Sequence, residues 1–123
     1  MYDNELVQDI LNQILDATQK VINRFTPIQT AEDFTNTPEG MEKLDSICMQ
    51  LMAIGESLKN IDKITNKTLF TRYPEIDWKG AIGLRDIITH KYFDIDAEQI
   101  FFVCKKHIPL LNETIKKIIN DLK

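Results

Sequence analysis

The chain has 123 residues, 43% of them hydrophobic and 28% charged, with only four glycines and four prolines. This is the composition of a single domain spanning residues 1–123, rich in helix and long enough to bury a core. A net charge of −4 argues against a general nucleic-acid coat, and no apolar run approaches the length of a membrane span. The opening MYDNELVQDI has acids in place of the basic flank and apolar stretch of a secretory leader, so a cytoplasmic location is expected.

In chain order, Leu6, Val7, Ile10, Leu11, Ile14, Leu15, Val21, Ile22 and Phe25 recur at three- and four-residue spacing and predict an amphipathic helix over about 4–25, with Asp3 as its N-cap. Thr26-Pro27 ends it. AEDF, residues 31–34, has room for one helical turn. Thr37-Pro38-Glu39 then supplies a cap, a proline at the first helical position and an acid in the first turn. The second helix carries Met41, Leu44, Cys48, Leu51, Gly55 and Leu58 in heptad steps, widened by Ile47, Ile54 and Ile61, and should run to about Asn60. TNKTLFTRYPEID can hold a short helix after Thr65 before Pro74 interrupts it. Asp77 caps a third helix from Trp78 to the region of Tyr92. Asp96 and Gln99 have capping-box spacing for a last helix reaching the C-terminus, which Pro109 should kink or split. Eighteen isoleucines favour strands by propensity, but their spacing is helical. The expected fold is all-α, an antiparallel four-helix bundle with short accessory helices. Cys48 and Cys104 lack metal-ligand spacing and occupy apolar helical positions, as core thiols do.

The stretch GLRDIITHKYFDID, residues 83–96, concentrates polar groups on the third helix. On a wheel advancing about 100° per residue from Leu84, the residues Ala81, Ile87, Ile88 and Lys91 fall within roughly 60° and form the expected core side. Trp78, Ile82, Thr89, Tyr92 and Phe93 fall between roughly 80° and 180°, a partly aromatic face that a lone bundle would leave wet. A second copy related by a two-fold axis is the economical cover, so a homodimer is expected. Arg85 lies at i, i+7 from Tyr92 on one flank. Asp86 and His90 form an i, i+4 pair on the other, with the carboxylate expected to hold the imidazole. An arginine and a histidine so placed suit attack by a ribose 2′-hydroxyl on its neighbouring phosphate without a metal, the imidazole moving a proton and the guanidinium stabilising phosphoryl charge. The competing reading is structural: Arg85 and Asp86 in surface ion pairs, His90 capping a helix C-terminus. From Lys59 to Lys91 seven basic residues face four acidic ones, a modest basic zone around this stretch in an otherwise acidic chain. Glu56 can point toward the same cleft or tie Arg85 or Lys59 in an ion pair, the second being its expected role. His107 has no acid at helical spacing and is expected to be structural.

RDIITHKY, residues 85–92, resembles the Arg-x4-His-x-Tyr signature of the HepT branch of the HEPN superfamily. Ala53-Ile54-Gly55-Glu56 resembles the Ile-Gly-Glu element of that branch, and YPEIDWKGAIGLRDIITHKYFDID resembles its Pro-Glu-Ile-x-Trp stretch leading into the catalytic helix. The likeness covers about residues 47–111. It implies a dimeric helical ribonuclease toxin whose composite site needs neither metal nor cofactor. It also implies a small nucleotidyltransferase antitoxin of the MntA type that adds AMP to the signature tyrosine. Carried over by residue, Arg85 and His90 would be catalytic, Asp86 would occupy the assisting polar position and Tyr92 would be the modification site. The alternative is a non-catalytic dimeric subunit that holds nucleotide or RNA phosphate for a nucleotidyltransferase, or a purely structural helical adaptor.

Overall fold

The computed structural model describes residues 2–90 and 93–123, and among these every regular element is helical. Helix α1 spans Asn4–Phe25, α2 Pro38–Ile64, α3 Trp78–His90, α4 Ala97–Phe102 and α5 Ile108–Leu122. Single 3-10 turns occur at Ala31–Phe34 and Phe70–Arg72, and a π-helical turn, Val103–His107, joins α4 to α5. The fourth rod of the bundle is therefore α4, the π turn and α5 together. Pro109 sits in the first turn of α5, where its missing N–H costs no internal hydrogen bond, and the wide turn before it absorbs the break.

The ends are set by the side chains expected from sequence. Asp3 accepts from the Leu6 amide, Thr37 from the Gly40 amide, and Asp96 from the Glu98 and Gln99 amides. Helix α2 continues one turn beyond Asn60. Ile61 is buried there, and the chain leaves the helix only where Asn66 and Lys67 adopt left-handed φ values of 53° and 60°. The Lys67 amide then closes on the Asp62 carbonyl. A lone glycine or proline would have been the usual textual stop signal, and this sequence has neither at that point.

Val7, Leu11, Ile14 and Val21 of α1, Ile47, Leu51, Ile54 and Leu58 of α2, and Ile108, Leu111, Ile115 and Ile118 of α5 form the continuous core. Helix α1 lies antiparallel to α5, with Asn4 near Leu122 and Thr18 opposite Asn112. The Asn112 side-chain amide donates to the Thr18 hydroxyl at 2.9 Å, and that hydroxyl donates to the Leu15 carbonyl at 2.8 Å. This buried link fixes the register of the two helices, because sliding either would orphan an amide in the core. Cys48 and Cys104 are buried free thiols, and burial pushes them up to about 11 and about 12, so both stay neutral at pH 7.

Two close approaches position α3. At its N-terminus Trp78 stacks on Phe70 with ring centroids 4.0 Å apart and planes 7° from parallel, and its indole N–H donates to the Tyr73 carbonyl at 2.7 Å. Tyr73 is itself buried and donates to Asp121 on α5 at 2.7 Å; burial, then that carboxylate, push its phenol up to about 12. Further along, a methyl placed on Gly55 would lie 3.2 Å from the Ala81 and Ile82 carbonyl oxygens and the Arg85 amide nitrogen. Glycine on α2 thus lets the backbone of α3 pass closely.

These contacts correct the expected faces of α3. Trp78 was expected on a wet second face, but it is partly buried against its own chain, where the 65–77 connection brings Phe70 beneath it. Ile82 is likewise partly buried against the core. Ile87, expected in the core, is 39% exposed because α3 packs on α2 and does not close onto α5. A cavity of about 230 Å³ remains between α3 and α5, with Ile76, Ala81, Leu84, Ile87, Val103 and Leu111 among its walls. Leu84 and Ile88 are buried as expected. Lys91 lies outside the described residues.

Candidate active site

Arg85 projects from the middle of α3, just where α2 passes closest at Gly55, so the next α2 residue, Glu56, meets it. The Arg85 Nε lies 3.5 Å from a Glu56 carboxylate oxygen. Its Nη1 lies 3.3 Å from the carboxylate of Asp86, the following residue of α3. The guanidinium is therefore shared by two carboxylates from two helices. All three side chains are roughly half exposed, at 46% for Arg85, 60% for Glu56 and 61% for Asp86. Each pair so hydrated contributes at most about 1 kcal/mol to stability, so the triad orients the arginine more than it holds the fold.

His90 occupies the last turn of α3 and is exposed. Its Nδ1 lies 2.8 Å from the Asp86 backbone carbonyl. A carbonyl can only accept, so this contact requires the proton on Nδ1 and turns the lone pair of the neutral ring to Nε2. The geometry corrects one expectation. The Asp86 carboxylate was expected to hold the imidazole, yet it turns to Arg85 and the Asp86 main chain takes the ring. Successive turns of a helix put the i carbonyl directly below the i+4 side chain, and a carbonyl oxygen has a second lone pair that can accept from a side-chain donor.

Arg85 and His90 thus share the outer part of α3, and Glu56 joins them from α2. Tyr92 lies outside the described residues. His107 is elsewhere, in the π turn, with its ring edge-on to Phe102 at 5.2 Å and part of the wall of the cavity between α3 and α5. Among the described residues no three His, Cys, Asp or Glu side chains converge as a metal-binding group. No helix among them is long and apolar enough to cross a membrane. The Glu56–Arg85 pair was one of two alternatives open from sequence. Ion pairing of Arg85 and Asp86 belonged to the competing structural reading, and it too is present; that the two carboxylates take different edges of one guanidinium follows from the Gly55 approach, which brings Glu56 to Nε.

An all-helical bundle presenting an exposed arginine and histidine five residues apart on one helix is the frame of a HEPN-type ribonuclease domain. A family model described as "Ribonuclease HepT-like" matches residues 14–118, and the chain belongs to that family, which places it in the ribonuclease class. Among similar proteins, "Gamma-glutamylcyclotransferase and putative RNase" of Methanocaldococcus jannaschii is 34% identical over 116 residues, covering 94% of this chain and 49% of the relative. The chain therefore spans about half the length of that protein. A "Putative RNase" from the same organism is 31% identical over 116 residues, covering 94% of this chain and 93% of the relative. "Probable ribonuclease HepT" of Thermococcus cleftensis is 29% identical over 111 residues, covering 90% and 94%. No solved structure gives a significant match.

Proposed function

We propose that residues 1–123 act as one HepT-like domain that cleaves RNA without a metal, in a toxin-antitoxin pair, at a cleft built from two copies of the chain. The observation that carries this is the 2.8 Å contact between His90 Nδ1 and the Asp86 carbonyl: a carbonyl accepts, so Nδ1 donates and the neutral ring keeps Nε2 as a lone-pair base on an exposed helix end. That nitrogen takes the proton of a ribose 2′-hydroxyl. The 2′ oxygen then bonds to phosphorus, the bond from phosphorus to the 5′ oxygen breaks, and the leaving oxygen takes a proton from water or from the imidazolium of the second copy. Arg85 stabilises the charge that gathers on the non-bridging oxygens. Glu56 aims the guanidinium.

The experiment is to incubate the purified protein with total RNA in EDTA and map the new ends. The expected products carry 2′,3′-cyclic phosphate and 5′-hydroxyl ends. A strict need for magnesium or manganese would reject the mechanism.

The two-copy arrangement is supported by the exposed Ile87 and the apolar cavity beside it, on the side of α3 that α5 leaves uncovered. Sedimentation at tens of micromolar is expected to give a dimer, and Ile87→Glu to shift it toward monomer, because a buried unpaired carboxylate is costly. A monomeric wild-type chain would reject the composite site. Tyr92, two residues beyond His90, is proposed as the acceptor of AMP from an MntA-like nucleotidyltransferase. The added phosphate would bring negative charge and bulk to a residue seven positions from Arg85 in the signature, in competition with RNA phosphate for the guanidinium.

A further inference from the structure

Taking the site as the ribonuclease centre proposed above, we infer that the Asp86 carboxylate occupies the phosphate subsite of Arg85, so that an entering RNA phosphate must displace it. The guanidinium offers two edges for bidentate recognition of an oxyanion. One is formed by Nε and Nη2, the other by Nη1 and Nη2. Glu56 sits on Nε at 3.5 Å and Asp86 on Nη1 at 3.3 Å. Each edge is thus half taken by a carboxylate, and no two-oxygen phosphate contact forms until one carboxylate leaves.

The two carboxylates differ in how they are held. Glu56 comes from α2 at the point where Gly55 brings the helices together, so backbone packing places it against Nε. Asp86 is the residue next to Arg85 on the same helix, where neighbours point about 100° apart, and it reaches Nη1 only by leaning sideways. Glu56 is therefore the tether that aims the arginine, and Asp86 is the group that yields. With it gone, the Nη1–Nη2 edge faces a phosphate while Glu56 still fixes Nε.

The consequence is a fixed penalty on every entering phosphate. Orthophosphate and mononucleotides make one contact and have little else to offset that penalty. An RNA chain gathers several phosphate contacts at once and still binds after the carboxylate is displaced.

The test uses a short RNA methylated at every 2′-oxygen, which cannot be cleaved, so binding is read separately from catalysis. Fluorescence anisotropy at fixed salt is expected to show Asp86→Asn binding it ~3- to 5-fold more tightly than wild type, the scale of releasing one hydrated ion pair. Orthophosphate should compete more effectively against the variant by a similar factor. Asp9→Asn, an exposed acid on α1, controls for the change in net charge and should alter binding much less. In an Arg85→Ala background the Asp86→Asn gain should vanish. The side-chain Nε–H resonance of Arg85 should stay sharp in Asp86→Asn and broaden in Glu56→Gln. Tightening no larger than that of Asp9→Asn, persistence of the gain without Arg85, or no binding of the methylated RNA by any variant would each overturn the inference. Cleavage of unmodified RNA by the wild type reports on the ribonuclease reading independently: binding that follows the expected pattern with no cleavage would discard catalysis and keep the subsite.

Discussion

Replacing His90 by alanine is expected to lower the rate of RNA cleavage at least ~100-fold, the usual scale for losing a positioned acid-base group, while leaving the melting temperature nearly unchanged. The second half follows from where the ring lies. It is exposed at the end of α3 and its one described contact is to a carbonyl of its own helix, so its loss removes little packing. Arg85→Ala should lose a similar factor because it removes the donor aimed at the phosphoryl oxygens. Rates measured at saturating RNA, with thermal melts of the same samples, check both. Arg85→Lys is a sharper variant: it keeps the charge but loses the planar fork that Glu56 holds through Nε, so most of the activity should go with it. A His90→Ala protein as active as wild type would move the function to phosphate binding without cleavage.

Gly40→Ala is expected to destabilise the protein by about 1–3 kcal/mol, the range for forcing extra volume into a packed site. On helix propensity alone the same change should stabilise by up to ~1 kcal/mol, since Gly40 is in the first turn of α2. The opposite sign is expected because an added methyl would collide with the Asp33 carbonyl oxygen and lie 3.2 Å from the Phe34 carbonyl carbon. Both are backbone atoms of the Ala31–Phe34 turn and cannot rotate aside. That turn is locked in place: Asp33 accepts from the Gln29 and Thr30 amides, which hold its carboxyl below the usual range, and Phe34 is fully buried. Helix α2 would have to back away, loosening the Thr37 cap. Urea unfolding of Gly40→Ala against wild type measures the difference, and a variant as stable as wild type would show that the turn moves freely.

Much of this protein was legible in the order of its residues. The four rods, the caps at Asp3, Thr37, Asp77 and Asp96, the turn at AEDF and the break before Pro109 are local matters, decided by side chains within a few positions of the backbone groups they satisfy. The RDIITHKY signature placed Arg85 and His90 on one helix for the same reason. Tertiary packing decided the rest. Trp78 is stacked and not wet because the 65–77 connection folds Phe70 under it, and a helical wheel contains no information about what a loop brings back. Ile87 is exposed because α3 packs on α2 and the 65–77 connection and leaves an open cavity toward α5. The Glu56 ion pair of Arg85 depends on Gly55, thirty positions before the arginine and no different in hydropathy from the chain's three other glycines. Its missing side chain lets two backbones meet, and that approach alone puts Glu56 on one edge of the guanidinium while Asp86 turns from His90 to the other. Sequence periodicity sets which side of a helix is apolar. Which neighbour covers that side, and how closely, follows from the shapes of elements distant in the chain, and in this protein that closeness sets the charge around the arginine.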